Sequence, residues 1–260
     1  MARPTVPPAD EMEGQIAQTT VTSFRVVEAL EGRDPTGVSE LAANLDMAKS
    51  TVHKHLSTLR QLGYVTRENR KYRLSLGFLG LGTSVRARMD LYQASYEPIE
   101  TLAEATEEVA SVMVPEHGRG VYLRRVTNEA EPPTDLYEGE RVPLTATAGG
   151  KAILAYLPED ERNRLVDERL PEFTENTITD RDALLEELQT VHDDRVARDR
   201  GEFDADRHCI AAPITDTNNV AIAAVTVSGP ADRMREKSPT YDFSSIIGST
   251  ATSIRNRVIE

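Results

Sequence analysis

The sequence has one cysteine, five lysines and no long apolar run, and each scarcity removes a class of protein. A single thiol, Cys209, permits no intrachain disulfide and no cysteine-built zinc site, which fits a reducing cytoplasm. No apolar stretch approaches the roughly 18 to 20 residues that a membrane helix needs, so no membrane partner is expected. Met1 to Gln15 carries Asp10, Glu11 and Glu13 and no apolar core, unlike a secretory leader. Fourteen prolines and fifteen glycines are ordinary for 260 residues, so neither disorder nor a fibrous repeat is expected. The length allows one large domain or two ordinary ones.

What is present is charge, unevenly placed. Forty-three acids against thirty bases give a net charge of −13, and 25 of the bases are arginine. Acidity with lysine nearly removed resembles proteins of salt-loving organisms, where carboxylates hold hydration and self-repulsion is screened. Residues 16–76 depart from the rest: nine Lys/Arg and six Asp/Glu leave them at +3, with three of the five lysines. Residues 77–260 stand at −14. A basic block in an acidic chain suggests an anionic partner for that block, although a small domain can differ by a few charges without function.

The basic block reads as three helical segments and a hairpin. Phe24, Val27 and Leu30 recur at helical spacing before Glu31-Gly32. Val38 to Leu45 starts a second helix that Ser39 could cap, with Leu41, Ala42 and Leu45 inward. Asp46-Met47 makes a turn, and Asp tolerates the left-handed conformation that such turns use. In the third segment, Ala48 to Leu59, Val52, Leu56 and Leu59 point inward. Lys49, Ser50, Thr51, His53 and Lys54 are left outward at the helix start. Small polar and basic residues at the start of the second helix of a helix-turn-helix are suited to base edges and phosphates in the major groove. Thr66 to Leu74 reads as two strands around a Glu68-Asn69 turn, a wing carrying Arg67, Arg70, Lys71 and Arg73. The partner expected is double-stranded operator DNA; the alternative is a winged helix that docks a protein. His53 and His55, at i and i+2, fall on different helix faces, so no metal is expected there and both read as groove-facing or solvated.

The remainder reads as α+β. Leu74 to Leu81 is a glycine-punctuated connection. Ser84 to Tyr92 and Ile99 to Val109 look helical, the former placing Val85, Met89 and Tyr92 on one stripe that could link the domains. Strands at Ser111–Val114 and Val121–Val126 flank a hairpin at His117 to Gly120. Helices follow at Gly150–Leu157, Glu159–Val166 and Arg181–Val191. Cys209–Ile214 and Val220–Ser228 read as strands, and a last helix carries Ile246, Ile247, Ile254 and Val258. The domain boundaries expected are 16–76, a linker helix over 77–92, and 93–260.

Two features suggest a ligand. Alternation in Val220–Ser228 puts Ile222, Ala224, Thr226 and Ser228 on one face, where two hydroxyls among small side chains could orient a small polar molecule. Those hydroxyls could equally satisfy neighbouring backbone or water. Thr147, Ala148, Gly149 and Gly150 join a strand to a helix, whose first amides favour a carboxylate. Two glycines could also serve only a tight turn. No Walker loop, dinucleotide-binding glycine run or His/Cys metal cluster is present, and His208, next to Cys209 on a strand, points away from it. No catalytic residue and no cofactor is expected.

Lys49-Ser50-Thr51-Val52-His53-Lys54-His55-Leu56 resembles the recognition helix of the IclR family of transcription regulators. Asp46, Met47 and Ala48 stand where that family usually has Gly, Leu and Pro. Leu62-Gly63-Tyr64-Val65 and Tyr72-Arg73-Leu74 resemble its wing. Pro143-Leu144-Thr145-Ala146-Thr147-Ala148-Gly149-Gly150-Lys151-Ala152 is similar to a further family stretch, with Thr145 replacing a His. Phe173-Thr174, Asn176 to Asp180, Cys209 to Ile214 and Val227-Ser228-Gly229-Pro230 extend the likeness over nearly the whole chain from Gln18.

The resemblance implies a winged helix-turn-helix followed by a GAF/PAS-like domain with a mixed, largely antiparallel sheet that binds small organic or sugar acids. It carries effector contacts onto Ala148, Gly149, Asp199, Cys209, Thr226 and Ser228; Thr226 stands where family members often have Ser, and its methyl narrows the site. From the residues alone, Cys209 is as readily a small buried hydrophobe, and Asp199 sits in a charged stretch that reads as a solvated face. The resemblance also implies a cytoplasmic homodimer or tetramer, and with the acidity it points to a haloarchaeal source. A two-fold dimer would place two recognition helices one DNA turn apart, or a multiple of it, on a roughly palindromic operator.

Overall fold

The computed structural model describes residues 14–31, 35–127, 136–166, 170–238 and 242–259. It divides into two compact units between Val85 and Arg86.

The first unit contains α1 (Gln18–Leu30), β1 (Thr36–Gly37), α2 (Val38–Asn44), α3 (Lys49–Gln61), β2 (Val65–Glu68) and β3 (Lys71–Leu74). Its core is small: Val26, Leu30, Leu41, Val52, Leu56, Leu59, Val65 and Tyr72 are all buried. Helix α1 starts earlier than the apolar spacing suggests and buries Val21, Val26 and Leu30, while Phe24 is exposed. Ser39 does not cap α2: the N-cap is Gly37, with no side-chain bond. Strand β1, which had no periodicity to reveal it, pairs Thr36 with Tyr72 and completes the sheet order β1-β3-β2. Helix α4 (Gly77–Arg86) follows. The expected linker helix over 77–92 is therefore two elements, because α4 ends at Arg86 and α5 (Asp90–Thr106) begins after Met89.

The second unit is built on one six-stranded sheet of order β6-β5-β4-β9-β8-β7. Its strands are β4 (Val109–Glu116), β5 (Arg119–Val126), β6 (Arg141–Pro143), β7 (Ala197–Arg200), β8 (Arg207–Thr215) and β9 (Ala221–Pro230). Every described pairing is antiparallel, so the sheet expected to be mixed and largely antiparallel shows no parallel pair among the described residues. Its helices are α6 (Ala148–Leu154), α7 (Glu159–Leu165), α8 (Arg181–Asp194), α9 (Ala231–Lys237) and α10 (Phe243–Ile259).

Antiparallel strands covered on both faces need apolar residues at successive positions, and β4 and β9 have them. One face packs Val112, Val225 and Val227 against Ile99 and Leu102 of α5 and Ile247 and Ile254 of α10. The other packs Met113, Tyr122, Ala211 and Ala224 against Ala148, Ala152 and Ile153 of α6 and Leu184 and Leu188 of α8. A bulge opposite the start of β9, between Ile214 and Thr215, takes Ile222 out of the expected row, and it packs with the α5–α10 side. Among the described residues, no helix is long and apolar enough to cross a membrane.

Candidate functional site

In the first unit the chemistry gathers at the start of α3. Val52 and Leu56 are fully buried and Leu59 nearly so, which fixes the rotation of the helix. Lys49, Ser50, Thr51, His53 and Lys54 are all exposed. The turn before α3 carries Asp46 at φ 51°, the left-handed geometry expected of an Asp there. His55 departs from the expected groove-facing position: its Nδ1 lies 2.8 Å from Ser23 Oγ, tying α3 to α1. Burial, then the neighbouring Lys54 charge, lowers its pKa, so the ring is neutral at physiological pH.

The wing turns at Asn69 (φ 49°) and Arg70 (φ 68°), one residue later than expected. Two successive positive φ values fit a primed hairpin turn. Arg67, Arg70, Lys71 and Arg73 are exposed around it. Arg67 lies over the ring of the buried Tyr72 with 5.5 Å between Cζ and centroid, and Arg73 Nε donates to Thr66 Oγ1 at 3.3 Å. These contacts engage two of the four cations without neutralising them.

In the second unit the candidate effector residues meet on the α6 face of the sheet. Register aligns Asp199 with Cys209 and Cys209 with Ser228. Directly opposed residues share a face, so these three form a row. The next row runs Ala211, Thr226, Ser111, Arg125. Above it sits the start of α6: a Cβ on Gly149 would lie 2.9 Å from both Thr226 Cγ2 and Met113 Sδ, so glycine permits the close approach of this helix to the sheet. Thr147 plays a narrower part than expected. Its hydroxyl donates to Pro143 O at 2.7 Å and accepts from Gly150 N at 3.2 Å, so it is the α6 cap.

Asp199 is not on a solvated face; it is 7% exposed. Burial pushes its pKa up to about 7, against the backbone N–H of Glu202, which donates to Oδ1 at 2.7 Å. At neutral pH it is present in both protonation states and can offer or accept a proton. Cys209 is half-buried, and burial and then the Asp199 charge push its thiol up to about 12. It is a protonated thiol at neutral pH, unsuited to nucleophilic attack. Thr226 bonds to it through its side chain.

Sequence reasoning missed four polar side chains on this face: Ser111, Tyr122, Arg125 and Arg207. Arg207 Nη2 donates to Ser228 Oγ at 3.3 Å, and the Arg125 guanidinium lies 5.6 Å from the Tyr122 centroid. Only the antiparallel register, invisible in single strands, brings them together. Behind the row lies a buried ion cluster. Lys151, fully buried in α6, holds Glu202 at 2.6 Å and Glu187 at 3.1 Å. Thr177 Oγ1 then donates to Glu202 O at 2.6 Å, anchoring the loop before α8. A separate cavity of about 420 Å³, lined by Val196, Ala212, Ser244, Gly248 and Arg255 among others, lies on the α10 side of the sheet. Among the described residues no group of three or more His, Cys, Asp or Glu could hold a metal ion.

Comparison with known proteins matches residues 22–69 to the IclR helix-turn-helix domain and residues 83–256 to the bacterial transcriptional regulator IclR C-terminal domain. The Escherichia coli HTH-type transcriptional regulator KdgR is 31% identical over 217 residues, 82% of each chain. ArcR of Halobacterium salinarum, described as a probable HTH-type transcriptional regulator, is 29% identical over 96% of this chain and 97% of its own. A transcriptional regulator from Rhodococcus sp. RHA1 superimposes with a TM-score of 0.79 at 28% identity, covering 94% of this chain and 98% of that one. An IclR homologue of Microbacterium hydrocarbonoxydans, solved with 4-hydroxybenzoate, shares the fold, with a TM-score of 0.77 at 23% identity over 92% of this chain and 98% of its own.

Proposed function

We infer the function of this chain from its family: it belongs to the IclR transcriptional regulators, DNA-binding proteins with a C-terminal effector domain. Residues 16–76 are the DNA-binding part. Lys49, Ser50, Thr51, His53 and Lys54 enter the major groove of operator DNA, while Arg67, Arg70, Lys71 and Arg73 of the wing hold phosphates. The observation that carries this reading is the α3 tip: its amines and hydroxyls are exposed while Val52 and Leu56 are fully buried. A net +3 block in a chain of −13 supports it.

Residues 93–260 sense a small organic or sugar acid on the α6 face. Asp199, Cys209, Thr226 and Ser228 line the site, and the α6 turn at Ala148 and Gly149 approaches the ligand; Thr147 contributes as the cap of that turn. The bound carboxylate of the Microbacterium hydrocarbonoxydans protein is a ligand of the same class. Acid binding shifts the population of DNA-competent arrangements through residues 77–92. The chain works as a homodimer or a tetramer inside the cell, at genes of catabolism. Leu76, Leu79, Leu81 and Val85, exposed along and just before α4, supply apolar surface on two sides of the segment for a second copy. The acidic, lysine-poor composition and the ArcR relative support a haloarchaeal source.

A gel shift with the chain's own upstream DNA tests the division of labour. Lys49→Ala with Thr51→Ala should abolish the shift and leave acid binding intact. Loss of both activities would refute the assignment of one to each unit, and an unchanged shift would remove α3 from the groove.

A further inference from the structure

We infer that Ser111 and Arg125 form a second subsite on the α6 face, so that the acid recognised there carries two carboxylates. This rests on reading the face as the acid site, and extends it to residues outside the Asp199, Cys209, Thr226 and Ser228 set.

Ser111 is fully buried, and its Oγ makes no hydrogen bond. Buried hydroxyls are nearly always paired, and one left open beside a proposed ligand has the chemistry of a contact awaiting its partner. Its register neighbours are Thr226 on one side and Arg125 on the other. Met113, two residues along the same strand face, packs under Gly149. Ser111 therefore lies on the side of the sheet that α6 covers, continuing the Thr226 row toward β5.

The two guanidiniums come from different rows of the same face: Arg125 ends the Thr226 row, whereas Arg207 pairs with Pro230, one row beyond Ser228. Arg207 enters from β8, where it reaches Ser228 Oγ. Arg125 enters from β5, with Nε and Nη2 buried and its Cζ beside the Tyr122 ring. Strands β5 and β8 are separated by β4 and β9, about 14 Å at ordinary strand spacing. A short diacid is smaller than that backbone separation and is reached only through the length of the two arginine side chains. Both guanidiniums bear on Cys209 and on Tyr122, lowering the pKa of each against the effect of burial, so their fields overlap in one space. Asp199, partly protonated near neutrality, opposes only part of that positive charge. Each arginine has protein contacts already, but five N–H donors in a planar fork leave capacity for a bidentate carboxylate. A monocarboxylate would engage one end and leave the Ser111 hydroxyl and the second fork without an anion.

Calorimetry on the full chain at constant salt tests this with matched probes: succinate against butyrate, and 2-oxoglutarate against 2-oxopentanoate. In at least one pair the diacid should bind about tenfold or more tightly than its monoacid, as expected for an added charge-assisted fork. Ser111→Ala and Arg125→Gln should each erase that advantage while leaving monoacid affinity within about twofold. Arg125→Lys, which keeps the cation, should retain part of it, and melting curves of the variants confirm that they fold. Monoacids binding as tightly as diacids, or a diacid preference unmoved by Arg125→Gln, would overturn the second subsite and leave the acid site standing. If none of the four probes binds, the subsite falls together with the acid-site reading.

Discussion

Replacing Asp199 by Asn should stabilise the second unit, and the gain should grow with pH. The side chain is 7% exposed, and burial raises its pKa from the ordinary 3.8 to about 7. Between those values the folded chain holds a proton that the unfolded chain has released. The favourable contribution is therefore complete below about pH 4 and is lost as pH rises through about 7. Each tenfold change in proton affinity is worth about 1.4 kcal/mol, so Asp199 costs about 4 kcal/mol at pH 8.5, where it is ionised in the fold, and about 2 kcal/mol at pH 5, where the fold must take up a proton. Asn keeps the carbonyl oxygen that accepts from Glu202 N and carries no charge to desolvate. Urea denaturation of wild type and variant at the two pH values, with hydrogen exchange at the β8 and β9 amides to assign the transition to this unit, measures the difference. An Asn variant no more stable than wild type at pH 8.5, or an advantage that shrinks as pH rises, would show that Asp199 is already paired and that its burial carries no cost. The same variant should weaken acid binding, since the protonated carboxyl can donate to a ligand oxygen.

Lys151→Met should cost about 3–5 kcal/mol, because it strands Glu202 in the interior, and Glu202→Gln in the same chain should restore part of that loss in a denaturation series. Gly150→Ala should destabilise the second unit by about 3 kcal/mol, since the new methyl collides with the Leu144 backbone, which cannot move aside. Gly149→Ala should cost less on the same melting curve, because the new methyl meets side-chain atoms of Met113 and Thr226 at 2.9 Å rather than backbone. Arg70→Ala with Lys71→Ala should weaken operator binding and lower the slope of log affinity against log salt by about 2 per protomer. An unchanged slope would mean that the wing does not hold phosphate.

The DNA-binding unit was legible in the sequence because its signals are local. Helix α3 carries its apolar stripe and its polar tip within a few residues, and the Asp46 turn sits beside it. The candidate effector face is the opposite case. Its polar side chains come from β4, β5, β7, β8 and β9, and only the register of five strands collects them. Strand β7 was hidden because Ala197-Arg198-Asp199-Arg200 reads as part of a charged run. Yet its burial alternates in and out, and a two-residue period was present in those four positions. Strand β6, of three residues, and β1, of two, are too short to show any period. Ile222 fell on the wrong face because a one-residue bulge inverts an alternation that single-strand reasoning must assume unbroken. The Thr147 hydroxyl caps α6, a role that the strand-to-helix junction itself implies.

Footprinting on the chain's own upstream DNA tests the central assignment most directly. The wild-type chain should protect two major-groove segments on one face of the duplex, separated by about one helical turn or a multiple of it. Lys49→Ala with Thr51→Ala should remove both footprints while the second unit keeps its fold. Undiminished protection by that variant, or protection that maps only to the minor groove, would contradict an α3 tip that reads DNA.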